Sequence, residues 1–217
     1  MAELIKQKFG YSIELEDKFY YIKSGNEYVV TPRGQKVRTL YLELAEALLE
    51  DILQFGEESY SDPTSLLSYH FTCMDGFSRM GDEAPDALLN TGWENEWTFK
   101  PCPSPDPIKT MEWVMIMGHP NERIDKIRNW IRKCSCMQLS AIACVYNYYM
   151  SMNLAYMMAV AIELQDTEEN KKEAIKEIAK YFNTYDYSFD INEFKYIFEK
   201  FDLYYGIHFK EDGLKVK

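Results

Sequence analysis

The first part of the chain alternates apolar and polar side chains, which is the pattern of a strand with one buried face. In YSIELEDKFYYIKSGNEYVVT, residues 11–31, the apolar Tyr11, Ile13 and Leu15 alternate with the polar Ser12, Glu14 and Glu16. The letters SGNE then supply a turn, so this segment predicts a β-hairpin or meander. TPRGQ, residues 31–35, should end it, because its proline lacks an N–H donor and its glycine permits a positive φ.

Two amphipathic helices are predicted after the strands. From residue 39 the apolar positions recur every three or four residues, at Leu42, Ala45, Leu48, Leu49 and Ile52. We expect Thr39 to cap this helix and Gly56 to end it. In the second helix Asp62 should be the cap and Pro63 should occupy the first turn. Its apolar stripe consists of Leu66, Leu67, His70, Cys73, Met74 and Phe77.

The second half of the chain predicts helices alone. One helix should run from Asp106–Pro107 to Gly118, one should begin at Pro120, and one should cover residues 167–182. A last helix should be capped by Asp190, with Glu193 as its reciprocal partner, and should end at Gly206.

A proline-rich segment separates the two halves. Four of the eight prolines lie at alternate positions in KPCPSPDPIK, residues 100–109. Such a run favours an extended, stiff spacer, and we place a domain boundary there. The predicted fold is therefore α+β. Residues 1–99 would form a strand-rich domain with two helices, and residues 110–217 an all-helical domain.

Residues Cys134 to Ile162 form a run of 29 residues without one charged side chain. This length permits a membrane span, which needs about 20 apolar residues. An asparagine and three tyrosines lie near the middle of the run, however, whereas membrane tyrosines gather at the interfaces. A helix that is apolar on every side is buried in a soluble protein. We therefore interpret the run as one long central helix of the second domain.

Acidic residues outnumber basic ones by 35 to 24, which gives a net charge of -11. The excess is concentrated between Thr39 and Lys100, where thirteen acids accompany Arg79 as the one base before Lys100. Nucleic acid and anionic membranes are bound through clustered Lys and Arg, so neither is expected as a partner. The acids indicate a solvated face, or alternatively a docking face for a basic partner.

The compartment is predicted from the N-terminal letters and the cysteines. MAELIKQKFGYSIELEDKFYY mixes acids with bases and lacks the basic stretch and apolar run of a signal peptide. The cysteines number five, and an odd number suits a reducing compartment better than a disulfide framework. We expect a cytoplasmic protein.

One pair of residues suggests a small-molecule site. His70 and Cys73 in HFTC lie one helical turn apart, and a Cys–His pair can act as a nucleophile. Both residues belong to the apolar stripe, which favours a core histidine. A small-ligand-binding domain or an enzyme with a pocket near His70, Cys73 and Asp75 therefore stays as the alternative function.

Metal-binding patterns are incomplete in this sequence. The letters CSC at residues 134–136 lack the spacing of a zinc pair. DYSFDINEFKYI, from Asp186, resembles a calcium loop, but Ile191 and Ile197 stand where glycine and glutamate are needed. We predict no metal and no cofactor.

Three segments together resemble a family of F1-ATPase assembly chaperones, the class that binds the α subunit. In TPRGQKVRTLYLELAEALLEDI the matching residues are Thr31, Pro32, Leu44, Ala45, Glu46, Ala47 and Leu48. In DPTSLLSYHFTCMD they are Asp62, Pro63, Thr64, Thr72 and Asp75. LSAIACVYNYYMSMNLAYMMAVAI is similar to the family's long central helix. Asp51–Ile52 stands where the family has Glu-Trp, and Tyr205–Gly206 where it has Trp-Gly.

The resemblance implies a non-enzymatic chaperone that covers an assembly surface of the F1 α subunit until the β subunit arrives. It also implies a partner-binding region near the C-terminus, with His208 where the family has an acid and with Glu211 and Asp212 beyond it. The terminal helix is rich in aromatic residues, which we expect to anchor a partner, chiefly Phe201, Tyr204 and Tyr205. The alternative is that these rings complete the helical core.

Overall fold

An antiparallel sheet forms the N-terminal part of the protein. The computed structural model describes residues 2–62, 64–96, 120–164, 167–185 and 189–211. The strands are β1 (Glu3–Lys8), β2 (Tyr11–Glu16), β3 (Phe19–Ser24), β4 (Glu27–Tyr28) and β5 (Arg38–Thr39). They are arranged in the order β1-β2-β3-β4, and β5 pairs with another part of β3. The predicted meander is therefore confirmed.

One face of this sheet packs on the first helix, α1 (Leu42–Phe55). Ile13 of β2 and Ile22 of β3 are directly opposite each other, and both are buried. The prediction that Gly56 ends α1 is confirmed, since its N–H donates to the Ile52 carbonyl at a φ of 85°. The predicted cap was wrong. Thr39 accepts the backbone N–H of Tyr41 and so forms a turn before the helix.

The helical segment after α1 begins later than the sequence predicts. A short 3₁₀ helix (Glu57–Ser61) is followed by α2 (Leu66–Phe71), whose cap is Ser65. Asp62 instead accepts hydrogen bonds from Thr64 in the preceding turn. The helix continues as a π-helix (Thr72–Phe77) and then as α3 (Ser78–Met80). After a 3₁₀ turn (Gly81–Glu83) come α4 (Ala84–Leu89) and a further 3₁₀ turn (Trp93–Asn95).

The remaining described residues are helical, as predicted, and the whole fold is α+β. The helices are α5 (Pro120–Ile131), α6 (Cys136–Tyr149), α7 (Met152–Leu164), α8 (Glu168–Tyr185) and α9 (Ile191–Glu211). The predicted helix over residues 106–118 and the predicted linker over residues 100–109 lie outside the described residues. Asp190 caps α9 as predicted, whereas Glu193 accepts the hydroxyl proton of Tyr148.

The uncharged run is buried, as expected, but it forms two helices and not one. Met150 adopts a left-handed conformation with a φ of 51° and ends α6. Ser151 then accepts the N–H of Leu154, and Glu96 accepts the N–H groups of Met152 and Asn153 at 2.6 and 2.9 Å. A carboxylate at this position satisfies N–H groups that have no partner within α7. The helices α6 and α7 pack against each other.

The last helix, α9, lies among the other helices. It contacts α1, α2, α6, α7 and α8. Gly206 was predicted to end it, but this prediction was wrong, since α9 continues to Glu211. Gly206 is instead a site of close packing. A Cβ atom at Gly206 would lie 3.2 Å from an Asp202 carboxylate oxygen and 3.4 Å from an Ile162 methyl.

The two predicted domains share one hydrophobic core in the described part of the chain. Polar contacts also join them. The Lys200 ammonium of α9 lies 2.6 Å from the buried Asp51 carboxylate of α1. Asp51 also accepts a hydrogen bond from the Ser65 hydroxyl at 2.5 Å. This carboxylate therefore connects α1, the start of α2 and α9.

Candidate functional site: a cavity and a groove beside a π-helix

The π-helix Thr72–Phe77 is an uncommon backbone feature. Its wider turn is rare, and π-helical turns frequently occur at functional sites. Cys73 and Phe77 point from it into the core and are buried, while Met74 and Asp75 are half-buried. The π-helix lies between two surface depressions, a cavity on one side and a shallower groove on the other.

Asp75 attaches the TPRGQ loop to the π-helix. Its carboxylate accepts three hydrogen bonds. The donors are the Thr31 hydroxyl at 2.7 Å, the Arg33 backbone N–H at 3.1 Å and the Gln35 side-chain amide at 3.0 Å. Gln35 donates also to the Met74 carbonyl at 2.8 Å. Thr31 and Asp75 belong to different segments of the family resemblance, and the fold brings them into direct contact.

The groove is formed by these same two segments and by the 3₁₀ helix before α2. It has a volume of about 290 Å³. The Tyr60 ring packs on the Phe71 ring with centroids 5.6 Å apart, and Pro32, Arg33, Thr72 and Asp75 line the remainder.

The cavity on the other side has a volume of about 250 Å³ and mostly apolar walls. The sheet contributes Phe19, Arg38 and Thr39, the segments on either side of β5 contribute Gln35, Leu40 and Tyr41, and α6 contributes Met137. His70, Cys73, Met74 and Ser78 line the helical side. The fold therefore brings His70 and Cys73 to one cavity, but it places Asp75 in the groove.

His70 is a neutral core histidine whose two ring nitrogens both have partners. Nε2 lies 3.0 Å from the Arg38 carbonyl oxygen and Nδ1 lies 3.1 Å from the Tyr204 hydroxyl. A carbonyl only accepts, so Nε2 carries the proton and Nδ1 accepts from Tyr204. Burial lowers the pKa of His70 to about 4. The ring is therefore held as a neutral structural group.

Three of the described cysteines have thiols whose pKa is raised by burial. Cys73, Cys134, Cys136 and Cys144 are free. Burial raises the pKa of Cys73, and it raises the pKa of Cys144 to about 11 and that of Cys134 to about 12. Because the thiolate is the nucleophile, Cys73, Cys134 and Cys144 are poorly suited to covalent catalysis at neutral pH. The His70–Cys73 pair thus lines a cavity without forming a nucleophilic pair.

The aromatic residues predicted to anchor a partner lie in the core. Phe201, Tyr204 and Tyr205 are all 0% exposed. Tyr204 binds His70, and the Tyr205 hydroxyl donates to Glu163 while accepting the Trp130 indole N–H at 2.9 Å. Phe201 stacks on Tyr205 with ring centroids 5.0 Å apart. These three rings complete the core, which was the alternative, and they offer no surface to a partner in this conformation.

The predicted partner-binding region also includes residues beyond these rings. The side chains of His208 and Glu211, and Asp212 as a whole, lie outside the described residues. They stay candidates on the sequence alone.

Two of the other site hypotheses concern metal ions and membranes. Within residues 2–62, 64–96, 120–164, 167–185 and 189–211, no group of three or more His, Cys, Asp or Glu side chains is arranged to hold a metal ion. In the same ranges no helix combines the length and the apolar character that a membrane span requires.

Three residues of the site were not foreseen. Arg38 and Met137 line the cavity, and Tyr60 lines the groove. Each depends on how separate elements pack together, so no local sequence pattern reveals it. A comparison with protein-family models, curated proteins and solved structures finds no match for this chain.

Proposed function

We propose that this protein is a non-enzymatic assembly chaperone whose client is the F1-ATPase α subunit. The observation that carries the proposal is the meeting of the two segments that resemble that family. Thr31 of the first segment donates to Asp75 of the second at 2.7 Å, although 44 residues separate them. Residues of both segments then line one groove.

The groove has the chemistry of a protein-binding site. Interface anchors are enriched in Tyr and Arg, often surrounded by less important contacts that exclude water. Tyr60, 39% exposed, lies on Phe71, and Arg33 also lines the groove. We therefore assign client binding to the groove, and no longer to the buried rings of α9. Glu211 and Asp212 would add electrostatic attraction to a basic client.

The neutral state of the reactive side chains supports a function without catalysis. His70 has both ring nitrogens engaged, and the pKa of the Cys73 thiol is raised by burial. A chaperone requires only a surface that complements its client. We also propose a reducing compartment, the cytoplasm, in keeping with the four described free thiols.

Co-expression of the protein with the F1 α subunit, and separately with the β subunit, tests the proposal. Affinity capture should recover the α subunit and not the β subunit. Failure to recover the α subunit with the unaltered protein would overturn the assignment of the client.

The groove itself is tested by Tyr60→Ala with Phe55→Ala as a matched control. Both are exposed aromatic residues, at 39% and 46%, but Phe55 does not line the groove. Removing an anchor residue should weaken capture tenfold or more, while the control should change it less than twofold. Equal effects of the two substitutions would reject the groove. Glu211→Gln combined with Asp212→Asn should weaken capture of the client at low salt, where charge attraction is least screened.

The cavity favours a second function, the binding of a small molecule. His70 and Cys73 line it, as the alternative reading of the sequence requires. Their neutral state favours binding over catalysis.

A further inference from the structure

The cavity combines apolar walls with a positive charge at its rim. Its walls are mainly apolar and come from Phe19, Leu40, Tyr41, Met74 and Met137. Its polar groups other than Arg38 are neutral. His70 is buried and has both ring nitrogens hydrogen-bonded, and the Cys73 thiol lies 3.5 Å from the Ser78 hydroxyl. No acidic residue lines it among the described residues.

The charged group at the rim is Arg38. Its guanidinium lies over the Phe19 ring, 4.5 Å from the centroid, and one of its N–H groups donates to the Tyr21 hydroxyl at 3.2 Å. Within the described part of the chain, Arg38 forms no ion pair with a carboxylate. Stacking on an aromatic ring holds the guanidinium in place, and its other donors stay available for an anion.

We propose that this cavity binds a small carboxylic acid, with the apolar part inside and the carboxylate on the Arg38 guanidinium. This rests on the second function, ligand binding, and not on the chaperone function. Planar guanidinium and carboxylate groups match each other in a bidentate pair. Apolar pockets with a few convergent polar groups are the usual form of small-molecule sites.

The size of the cavity limits the ligand. A volume of about 250 Å³ is slightly below the roughly 300–1,000 Å³ that is usual for small-molecule sites. A carboxylic acid with a short apolar chain suits a site of this size. Hexanoate is therefore a suitable probe, with hexanol and hexylamine as its neutral and cationic counterparts.

Methionine methyl groups report binding in the full-length protein. Met74 and Met137 line the cavity, whereas Met152 and Met158 are fully buried elsewhere. In methyl-labelled protein, hexanoate should shift the first two signals saturably and leave the second two unchanged. Hexylamine should bind at least tenfold more weakly than hexanoate. Absence of a saturable shift with hexanoate, or equal affinity for hexanoate and hexylamine, would overturn the proposal.

Two substitutions separate the contributions of charge and cavity. Arg38→Gln should weaken hexanoate binding about tenfold, or ~1.4 kcal/mol, and should leave hexanol unaffected. Lys195→Gln, which removes an exposed positive charge outside the cavity, is the control and should have no effect. Unchanged affinity for hexanoate in the Arg38 variant would overturn the role of the guanidinium.

Ser78 is exposed and stands at the rim, so Ser78→Phe should close the cavity without disturbing the core. Thermal unfolding should be unchanged while both hexanoate and hexanol lose binding. Full binding in this variant would place the probe elsewhere. None of these measurements includes a protein client, so their failure leaves the capture experiments on the α subunit unaffected.

Discussion

Acidification should destabilise the protein through His70, and the size of the effect follows from its environment. Burial lowers the pKa of His70 to about 4, against about 6.5 in an accessible imidazole. The unfolded chain therefore binds the proton more readily than the folded protein. Stability from the neutral ring is fully present above pH 6.5 and is lost progressively as the pH falls toward 4. The difference between the folded and unfolded pKa values implies that the free energy of unfolding decreases by ~2 kcal/mol between pH 7 and pH 5.

A comparison with His70→Gln isolates this contribution. Glutamine does not titrate, and it retains a side-chain N–H for the Arg38 carbonyl. Urea unfolding of both proteins at pH 7, 6 and 5 gives the free energy of unfolding. The unaltered protein's advantage is the difference in free energy of unfolding between it and the variant. This difference should decrease by ~2 kcal/mol from pH 7 to pH 5. An advantage that stays constant would mean that His70 is protonated as easily in the folded protein as in water, and it would refute the argument.

Three further predictions concern the core. Asp51→Asn leaves the Lys200 ammonium without its carboxylate and should reduce the free energy of unfolding by ~3 kcal/mol, as measured by urea denaturation. Adding Lys200→Met should recover most of this loss, and no recovery would contradict the pairing. Cys144, whose pKa burial raises to about 11, should escape alkylation at pH 8 until the protein is unfolded, as counted by mass spectrometry; rapid native labelling would contradict its burial. Tyr205→Ala should reduce the free energy of unfolding by ~3 kcal/mol in the same assay, because it opens a cavity in the core. An unchanged free energy of unfolding would contradict the burial of Tyr205.

The sheet and the ends of some helices were predictable because local patterns determine them. Alternation placed Ile13 on the buried face of β2, and the opposite residue, Ile22, is buried as well. Gly56 ends α1 because glycine adopts a positive φ without strain. Asp190 caps α9 because its carboxylate reaches N–H groups two and three residues ahead.

Features that depend on distant residues were not predictable in this way. The uncharged run divides at Met150, where neither glycine nor proline marks a break. The first N–H groups of α7 donate to the carboxylate of Glu96, which lies in an irregular segment more than fifty residues earlier in the chain. The sequence therefore predicted the burial of the run correctly and its continuity wrongly.

The candidate site was predicted in part for a related reason. His70 and Cys73 do line one cavity, since helical spacing placed them on one stripe. Phe201 and Tyr205 were wrongly predicted to lie on the surface, because α9 has more aromatic residues than a single buried face can hold. That expectation assumed a helix at the edge of a domain, whereas α9 is enclosed by helices from both halves of the chain.

The π-helix also makes the exact number of residues between two fixed points matter. His70 is anchored before Thr72–Phe77 by Tyr204, and Asp75 within it holds the TPRGQ loop. A π-helical turn contains one residue more than the α-helical turn that it replaces. Loss of one residue between His70 and Asp75 would therefore restore an ordinary α-helix, whereas insertion of one residue would turn Asp75 and Phe77 by about 100° around the helix axis. An insertion here should be more harmful than a deletion, because it would take Asp75 away from Thr31 and Phe77 out of the interior.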